Sequence, residues 1–320
     1  MPSETHRPQR VLVTGGAGFI GSHVTDRYLS EGCEVTVVDD LSTGRRERVP
    51  HGADFVEMGL DDPGLEEVFE AGRFDTVNHH AAQIDVRASV EDPVRDARTN
   101  VTGFLNVLEC VRSHGPMRVV YVSSGGVVYG EPEQIPTPEH HPKLPLSPYG
   151  VGKLAGEHYL AYYAGIHGLD YAALRYSNVF GPRQDPHGEA GVVAIFGLRI
   201  LSGEPITIFG DGEQERDYVY VGDVVEANWR ASTIPLPDSS DLDARAWNIG
   251  TGRGTSVNEL AELLMGVAGR TVERRHAAER EGELRRSVLD CARAAAELGW
   301  RAETPLEAGL SRTMEHLSTT

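Results

Sequence analysis

Residues 10–40, RVLVTGGAGFIGSHVTDRYLSEGCEVTVVDD, contain two apolar runs separated by a glycine cluster and a stretch with helical spacing. In that stretch, Ile20, Val24 and Leu29 recur roughly on one face of a helix. The second apolar run ends in two acidic residues, Asp39 and Asp40. The pattern predicts a strand, a helix and a second strand in succession.

Three glycines, Gly15, Gly18 and Gly21, lie at the junction of the first strand and the helix. Small residues at such a junction allow backbone N–H groups and the positive end of the helix dipole to meet a pyrophosphate. Asp39 ends the second strand, where its carboxylate can accept hydrogen bonds from an adenosine ribose and would repel a phosphate on that ribose. Together these features predict a dinucleotide site that favours NAD over NADP.

The alternation of strands and helices continues along the chain. Strands are predicted at residues 74–82, 117–124 and 169–181, and helices at residues 94–115, 148–168 and 256–269. Such alternation indicates a parallel sheet with helices on both faces. After Gly181, glycine and proline become frequent. We therefore expect an NAD-binding domain over residues 1–180 and a mainly substrate-binding region over residues 181–320, with some strands returning to the main sheet.

Composition argues against several classes of partner. The 320 residues are 40% hydrophobic and 24% charged, which is typical of a folded globular protein. The formal net charge of −18 argues against nucleic acid or an anionic membrane, because the field of the protein repels both. An anionic small ligand would need local arginines.

Cysteine and histidine usage is that of a protein without metal or disulfides. Cys33, Cys110 and Cys291 lack the spacing of a metal site or disulfide framework and suit a reducing cytosol. The opening residues carry no signal-peptide core, and no apolar run reaches the length of a membrane span. The histidine pairs at 79–80 and 140–141 lack supporting acids, so no metal is expected. A cytoplasmic protein is predicted.

Tyr149 and Lys153 lie four residues apart near the start of the helix predicted at residues 148–168. This spacing puts both side chains on one face, close enough for the ammonium to lower the pKa of the phenol. Tyr149 could then act as a base near neutral pH. The same spacing is common on solvated helical faces, so the pair gains weight only beside the glycine turn and the two serines, Ser123 and Ser124, that end a strand.

With the glycine turn, SSGGVVYG at residues 123–130 and SPYGVGK at residues 147–153, the sequence resembles the extended short-chain dehydrogenase/reductase superfamily. Within it, the sequence is most similar to the nucleotide-sugar 4-epimerases that act on UDP-glucose or UDP-glucuronate. Matching motifs run from residue 11 to about residue 290. The resemblance implies an α/β fold, a Rossmann-type doubly wound parallel sheet with a smaller C-terminal substrate-binding region.

The resemblance also implies the residues that surround NAD. They are Gly15, Gly18, Phe19, Ile20, Asp39, Asp40, Leu41, Ser42, Thr43, Gly44, Gly59, Leu60, Ala81, Ala82, Asn100, Tyr149, Lys153 and Tyr176. Ala81 and Ala82 would pass beside the diphosphate, Asn100 would support the nicotinamide ribose, and Tyr176 would pack near the nicotinamide. One departure is Met58-Gly59-Leu60, where many relatives carry an acid that reaches adenine.

A second set of residues is implied around the UDP-sugar. It comprises Arg87, Ser124, Tyr149, Asn178, Val193, Phe209, Arg216, Arg280 and Glu283. Phe209 would lie against the base, Glu283 on the uridine ribose, and Asn178, Arg216 and Arg280 on the diphosphate. The helices that begin near residues 95 and 148 resemble those that join two subunits as a four-helix bundle, which implies a homodimer.

The stretch SSGGVVYG differs from the family pattern at one catalytic position. At two other positions, its residues indicate which reaction the protein catalyses. Aligned on VYG, the position where many epimerases carry a catalytic Ser or Thr is Gly125, so Ser124 or Ser123 has to take that role. Related dehydratases and decarboxylases carry an acid just before VYG, because elimination needs a proton shuttle there. Here those positions are Gly126 and Val127, which leaves epimerisation.

The expected reaction begins when Tyr149 removes a proton from the hydroxyl at carbon 4 of a UDP-hexose while hydride passes to NAD. The 4-keto sugar turns about its diphosphate and regains hydride on the opposite face. Ser287 lies where the family tunes pocket volume, and Arg87 could meet a uronate carboxylate, so glucose, glucuronate and N-acetylglucosamine nucleotides stay open. A dehydratase or a non-catalytic NAD sensor are the alternative functions.

Overall fold

The computed structural model describes residues 6–186, 191–237, 239, 241–280 and 284–319. Its strands are β1 (Arg10–Thr14), β2 (Glu34–Asp39), β3 (Asp54–Glu57), β4 (Thr76–His79), β5 (Arg118–Ser124), β6 (Asp170–Tyr176), β7 (Asn178–Phe180), β8 (Ile206–Phe209), β9 (Glu215–Arg216), β10 (Tyr218–Tyr220), β11 (Ala246–Ile249), β12 (Thr255–Ser256), β13 (Arg274–Ala277) and β14 (Arg286–Ser287).

The helices are α1 (Phe19–Ser30), α2 (Leu65–Gly72), α3 (Val86–Glu91), α4 (Pro93–Ala97), α5 (Phe104–His114), α6 (Pro148–His167), α7 (Val192–Ser202), α8 (Val221–Thr233), α9 (Val257–Ala268), α10 (Ala292–Glu297) and α11 (Leu306–Thr319). A 3-10 turn at Arg46–Arg48 and a π-helical segment at Arg98–Gly103 complete the set. Every helix within these described ranges is too short or too polar to cross a membrane.

Parallel pairing joins seven strands into one sheet in the order β11-β6-β5-β4-β1-β2-β3. The three residues at the centre of β1, Val11, Leu12 and Val13, are fully buried because helices cover both faces. Helices α2, α5 and α6 pack on one face, and α1 and α8 pack on the other. The predicted α/β, Rossmann-type doubly wound sheet is confirmed.

Residues after the predicted boundary at 180 contribute both to this sheet and to a separate core. Strand β11 pairs with β6 at the edge of the main sheet. Helices α7, α9 and α11 pack with β8 around a second hydrophobic cluster that includes Phe196, Leu264 and Met314. The smaller region therefore has a hydrophobic core of its own.

Two predicted elements differ from the structure. The strand predicted at residues 169–181 is interrupted at Ser177, so that β6 stays in the main sheet while β7 pairs with β10. The helix predicted at residues 94–115 is divided into α4, the π-helical segment and α5. Both interruptions fall at the end of the sheet where the predicted catalytic residues lie.

Candidate active site

The carboxyl ends of the central strands meet at one edge of the sheet. In register, Thr14 of β1 pairs with His79 of β4, and Ser124 of β5 pairs with Tyr176 of β6. In open parallel sheets, ligands bind in the crevice outside these strand ends. The residues predicted for NAD and for catalysis come together at this edge.

The glycine turn is packed against the backbone that follows β4. Gly15 has φ of +70°, and a Cβ placed on it would lie 2.5 Å from the backbone nitrogen of Ala81. A Cβ on Gly21 would lie 2.2 Å from the carbonyl oxygen of Gly15, so α1 begins directly against the turn. The first turn of α1, which includes Phe19 and Ile20, contains no acidic side chain, so its N-terminus remains suited to a phosphate group.

Asp39 is the acid that the sequence analysis placed at the end of β2. Its two carboxylate oxygens accept hydrogen bonds from the backbone nitrogens of Ala17 and Leu41, each at 2.9 Å. Burial raises the pKa of this carboxyl, and the two N–H donors oppose that shift. Gly44 closes the turn, since a Cβ on it would lie 2.7 Å from Asp39 Oδ1. The loop through Asp40, Ser42 and Thr43 therefore folds around a fixed carboxylate.

The Met58-Gly59-Leu60 segment lies beside this loop. The backbone nitrogen of Met58 donates to the carbonyl oxygen of Asp39 at 3.1 Å. Leu60 is buried, and its carbonyl oxygen accepts a hydrogen bond from Asn106 Nδ2 at 2.7 Å. A Cβ on Gly59 would lie 2.9 Å from Asp61 Oδ1. Asp61 follows Gly59 by two residues and was not among the residues named from the sequence.

Asn100 lies in the π-helical segment and anchors the chain that follows Ala82. Its side-chain Nδ2 donates to the carbonyl oxygen of Gln83 and to Asp96 Oδ1, each at 2.9 Å, and its Oδ1 accepts from the backbone nitrogen of Gln83 at 3.0 Å. Gln83 Nε2 also donates to Asp96 Oδ1, at 3.0 Å. Asp96 and Gln83 were missed; the four-residue spacing of Asp96 and Asn100 was the available signal.

Tyr149 and Lys153 lie on the first turns of α6. Ser147 caps this helix by accepting from the backbone nitrogen of Gly150, and Pro148 fits its first turn. Both side chains are buried, and Lys153 Nζ lies 5.8 Å from the centroid of the Tyr149 ring. Lys153 Nζ also donates to the carbonyl oxygen of Val122 at 2.9 Å. The structure therefore joins α6 to β5 at the predicted catalytic pair.

The charge of Lys153 is set by its surroundings. Burial lowers the pKa of Lys153 to about 8, and the carboxylate of Asp96 opposes this shift. Near Lys153, His79 is buried and His80 is half-buried, and burial of each ring followed by the Lys153 charge lowers the pKa of both imidazoles. Both histidines are thus neutral near pH 7, which leaves Lys153 as the cation beside Tyr149.

Ser123 and Ser124 point to opposite sides of β5, as successive strand residues do. Ser123 Oγ donates to Glu157 Oε1 at 2.5 Å. Ser124 Oγ lies 3.8 Å and Ser287 Oγ 4.0 Å from the position of a Cβ on Gly126. Of the two serines, Ser124 is thus the one directed toward the residue predicted to set pocket volume. A catalytic role for Ser123 stays a prediction and competes with its bond to Glu157.

Tyr176 ends β6 next to Ser124 and is buried. Its hydroxyl accepts a hydrogen bond from Asn228 Nδ2 at 2.6 Å, and Asn228 Oδ1 accepts from Asn78 Nδ2 at 3.2 Å. This chain of bonds fixes the Tyr176 ring from the α8 side of the sheet.

The predicted UDP contacts fall into two groups. Phe209 ends β8, and the guanidinium carbon of Arg280 lies 3.8 Å from the centroid of its ring. Arg216 of β9 pairs in register with Ser287 of β14. The structure therefore brings Phe209 to Arg280 and Arg216 to Ser287.

The other predicted substrate residues are more scattered. Asn178 is exposed at the start of β7, and Val193 is buried in α7. Arg87 lies on α3 with its side chain 72% exposed, and its guanidinium is 3.7 Å from Asp85. Glu283 lies outside the described residues.

The fold and this site define a nucleotide-binding protein of the short-chain dehydrogenase/reductase class, with its Tyr and Lys in place. Comparison with known families agrees. The model of the NAD dependent epimerase/dehydratase family matches residues 11–250. The chain belongs to that family.

Similar proteins narrow the class. The UDP-glucose 4-epimerase of Mycolicibacterium smegmatis is 45% identical over 312 residues, covering 96% of this chain and 97% of that protein. The UDP-glucose 4-epimerase of Thermotoga maritima, solved with UDP-glucose, superposes with a TM-score of 0.93 at 47% identity, covering 97% of this chain and 98% of that chain. The UDP-glucose 4-epimerase of Thermus thermophilus, solved with NAD, gives a TM-score of 0.90 at 45% identity, covering 97% of this chain and 99% of that chain.

These matches confirm the class predicted from the sequence. The protein is an isomerase of the UDP-sugar 4-epimerase type, and its cofactor is NAD. They do not favour the alternatives of a dehydratase or a non-catalytic sensor.

Proposed function

We propose that the protein interconverts UDP-glucose and UDP-galactose through a transient 4-keto sugar. The observation that carries this proposal is the placement of Tyr149 and Lys153 against β5, beside a Gly126-Val127 step that offers no acid. Such a site can remove and return a proton and a hydride, but it has no group there to eliminate water. The UDP-glucose bound to the Thermotoga maritima relative supports the choice of sugar.

The residues present fit NAD. The packing of Gly15 against Ala81 leaves the narrow backbone cradle that a diphosphate needs, and the fixed carboxylate of Asp39 suits ribose hydroxyls. When bound, NAD⁺ would supply a reversible hydride acceptor for carbon 4 and would not be consumed. Asn100 and Tyr176 would support the nicotinamide end. Ala81, Gly18 and the start of α1 would support the diphosphate.

The side chains of the chain itself handle the proton and the substrate. Tyr149 takes the proton of the hydroxyl at carbon 4, and the ammonium of Lys153 stabilises the resulting phenolate. Ser124 bridges the sugar hydroxyl and the phenol. Arg216 and Arg280 hold the diphosphate by charge-assisted hydrogen bonds while the keto sugar turns. Anchoring the nucleotide and not the sugar allows both faces of carbon 4 to meet the same site.

We also propose that the protein forms a homodimer. The proposed contact surface is a stripe of exposed apolar residues. On α6, Val151, Tyr162 and Ile166 are 54%, 52% and 66% exposed, and on the neighbouring α3–α4 segment Val90 and Val94 are 61% and 67% exposed. Apolar patches of this kind on adjoining helices favour association. Light scattering should give a dimer mass, and Tyr162→Glu should give a monomer.

A cytoplasmic location, supported by the free thiols of its cysteines, is also proposed.

The test is to incubate the purified protein with UDP-glucose, UDP-galactose, UDP-glucuronate and UDP-N-acetylglucosamine and to separate the products. We expect the glucose and galactose nucleotides to interconvert fastest, without added NAD. Tyr149→Phe serves as the control that retains the nucleotide site. Fastest conversion of the glucuronate or N-acetyl nucleotide would reassign the substrate, and net NADH formation would contradict epimerisation.

A further inference from the structure

A buried ion pair lies directly behind the catalytic residues. Arg175 of β6 and Glu157 of α6 are 0% and 1% exposed. Arg175 Nε donates to Glu157 Oε1 at 3.0 Å, and Arg175 Nη2 donates to Glu157 Oε2 at 2.6 Å. This two-point geometry fixes both orientation and distance between β6 and α6.

The guanidinium is saturated with acceptors. Arg175 Nη1 donates to the Tyr129 hydroxyl at 3.0 Å and to the carbonyl oxygen of Glu139 at 3.1 Å. Arg175 Nη2 also donates to Asp243 Oδ1 at 2.9 Å. With the two bonds to Glu157, all of the N–H groups that an arginine carries have a partner. Because Asp243 is a second carboxylate, Arg175 keeps a counter-ion if Glu157 is neutralised.

The same ion pair makes hydrogen bonds at both ends of residues 123–129, the stretch that carries Ser124. Glu157 accepts from Ser123 at its start, and Arg175 donates to Tyr129 near its end. Tyr129 in turn donates to Asn248 Oδ1 at 2.7 Å. Between these anchors lie two glycines, which carry more backbone freedom than any other residue. These side chains therefore hold both flanks of the glycine step, in addition to the hydrogen bond that the backbone nitrogen of Gly125 donates to the carbonyl oxygen of Tyr176 at 2.9 Å.

Glu157 also extends the spacing of the catalytic pair. Tyr149, Lys153 and Glu157 follow one another at intervals of four, so they share one face of α6. Two of them contact β5 through hydrogen bonds, Lys153 at the carbonyl of Val122 and Glu157 at Ser123. Two contacts one helical turn apart fix both the axial position and the rotation of α6 relative to β5.

We propose that Glu157 and Arg175 are positioning residues for the reaction, with Ser123 as their contact on β5. They set the distance between Tyr149 on α6 and Ser124 on β5, on which proton transfer depends. The inference rests on the proposed function, because it assigns the reacting groups to these two elements. It gives Ser123 a supporting role in place of the direct catalytic role predicted for it.

A merely structural role predicts a different pattern of losses. Removing one partner of a buried ion pair destabilises a fold because it leaves a buried charge, so a purely structural role predicts a lower melting temperature for a Glu157 variant. Loss of positioning lowers kcat alone, because a small misplacement of reacting groups costs rate without costing substrate affinity. Loss of structure lowers the melting temperature and the amount of bound NAD together.

The test uses the NAD-loaded protein and three variants. Ser123→Ala removes the hydroxyl that donates a hydrogen bond to Glu157, and Ser123→Thr restores a hydroxyl at that position. Glu157→Gln removes the charge but keeps a hydrogen-bond acceptor. Thr313→Val is the matched control, because Thr313 is a buried residue whose hydroxyl makes one hydrogen bond, to the carbonyl of Gly309 in α11. The readouts are kcat and KM for the UDP-sugar that the parent converts fastest, NAD content and melting temperature.

We expect Ser123→Ala and Glu157→Gln to lower kcat by about tenfold or more at unchanged KM and NAD content. Ser123→Thr should recover kcat to within a few-fold of the parent, and Thr313→Val should leave kcat unchanged. Parental kcat in both Ser123→Ala and Glu157→Gln would overturn the inference, as would a loss that follows NAD content. A parent that fails on glucose and galactose nucleotides but converts another UDP-sugar contradicts only the proposed substrate, while no conversion at all overturns both proposals.

Discussion

The residues assigned to the cofactor and those assigned to the substrate are held in different ways. Asp39 and Asn100 are buried, and hydrogen bonds engage both polar atoms of each side chain. Arg280, Asn178 and Arg87 are exposed. These two cofactor residues are thus fixed before any ligand arrives, whereas these three substrate residues expose their polar groups to water.

This difference is consistent with how long each ligand has to stay bound. A preorganised site loses little conformational entropy on binding and releases its ligand slowly, which suits a cofactor that is returned to its starting state in each cycle. The exposed side has to bind and release a nucleotide sugar every turnover. Arg280 illustrates this point, because its guanidinium stacks on Phe209, and the two groups have to separate or share their contact when a base arrives.

The largest expected effect comes from Tyr149, the group that joins the two sides. Tyr149→Phe should lower kcat by about 10³-fold, within the range for a positioned proton-transfer group, and leave UDP affinity unchanged. Turnover by product separation and UDP binding by calorimetry check both halves. Tyr162→Phe, on the same helix, is the control. Activity within a few-fold of the parent would remove Tyr149 from the chemistry.

Ser124→Ala should lower kcat by about 10²-fold with KM little changed. Restoring the hydroxyl one residue later should fail, because a Cβ on Gly125 would lie 2.6 Å from Leu289 Cδ1 and so points into the core. Steady-state kinetics of Ser124→Ala and of the double variant with Gly125→Ser check this. Near-parental kcat in Ser124→Ala, with melting temperature intact, rejects the catalytic role.

Arg280→Ala tests the exposed side of the comparison. Loss of charge-assisted hydrogen bonds to the diphosphate should raise KM for UDP-glucose by about tenfold or more, with a smaller change in kcat. Arg275→Ala is the control, because Arg275 is also exposed and pairs with Glu273. Equal KM values for the two variants would place Arg280 outside the substrate site.

The buried lysine of the catalytic pair, Lys153, should determine the pH dependence of kcat. Lys153, with its pKa lowered to about 8, is protonated below that pH and loses its proton above it, so kcat should fall as pH rises through this value. Asp96→Asn removes the charge that raises this pKa, so the fall in kcat should begin at a lower pH. Gln83→Met keeps the charge and should not move it. An unmoved alkaline limb in Asp96→Asn would contradict the role of Asp96.

The smallest effect is expected at Arg87. Because its guanidinium is exposed and 3.7 Å from Asp85, Arg87→Ala should change turnover of UDP-glucose by no more than a few-fold. Turnover of UDP-glucuronate should fall more if the guanidinium pairs with a uronate carboxylate, as the sequence suggested. Kinetics on both sugars decide, and equal losses would make Arg87 a surface residue only.

Features confined to short stretches of sequence were the ones that could be predicted. The glycine turn, the acid at the end of β2 and the Tyr-Lys spacing each lie within a short stretch, and the structure brings them together. The π-helical segment at Arg98–Gly103 was missed, because hydrogen bonds from Asn100 to a distant loop help to hold that segment. Strand β3 and helix α2 were also missed; β3 is only four residues long, and none of them is fully buried.

The partnership of Ser123 was beyond the sequence for a different reason. Glu157 lies on α6 and Arg175 on β6. From the sequence alone, Glu157 is indistinguishable from a surface charge and Arg175 from an ordinary strand residue. Only the sheet register places Arg175 beside Ser123 and brings Glu157 within reach of both. Gly126 and Val127 indicated the reaction class because neither carries an acid, but the sequence did not show how the backbone of this stretch is held.

The most direct test of the account follows a single atom. UDP-galactose carrying deuterium at carbon 4 should yield UDP-glucose that keeps the deuterium at carbon 4, because the hydride leaves to bound NAD and returns to the same carbon. Mass spectrometry and NMR of the product in ordinary water measure this without added cofactor. Retention of the label is the predicted result. Replacement of deuterium by solvent hydrogen, or its transfer to free NADH, would contradict the proposed reaction.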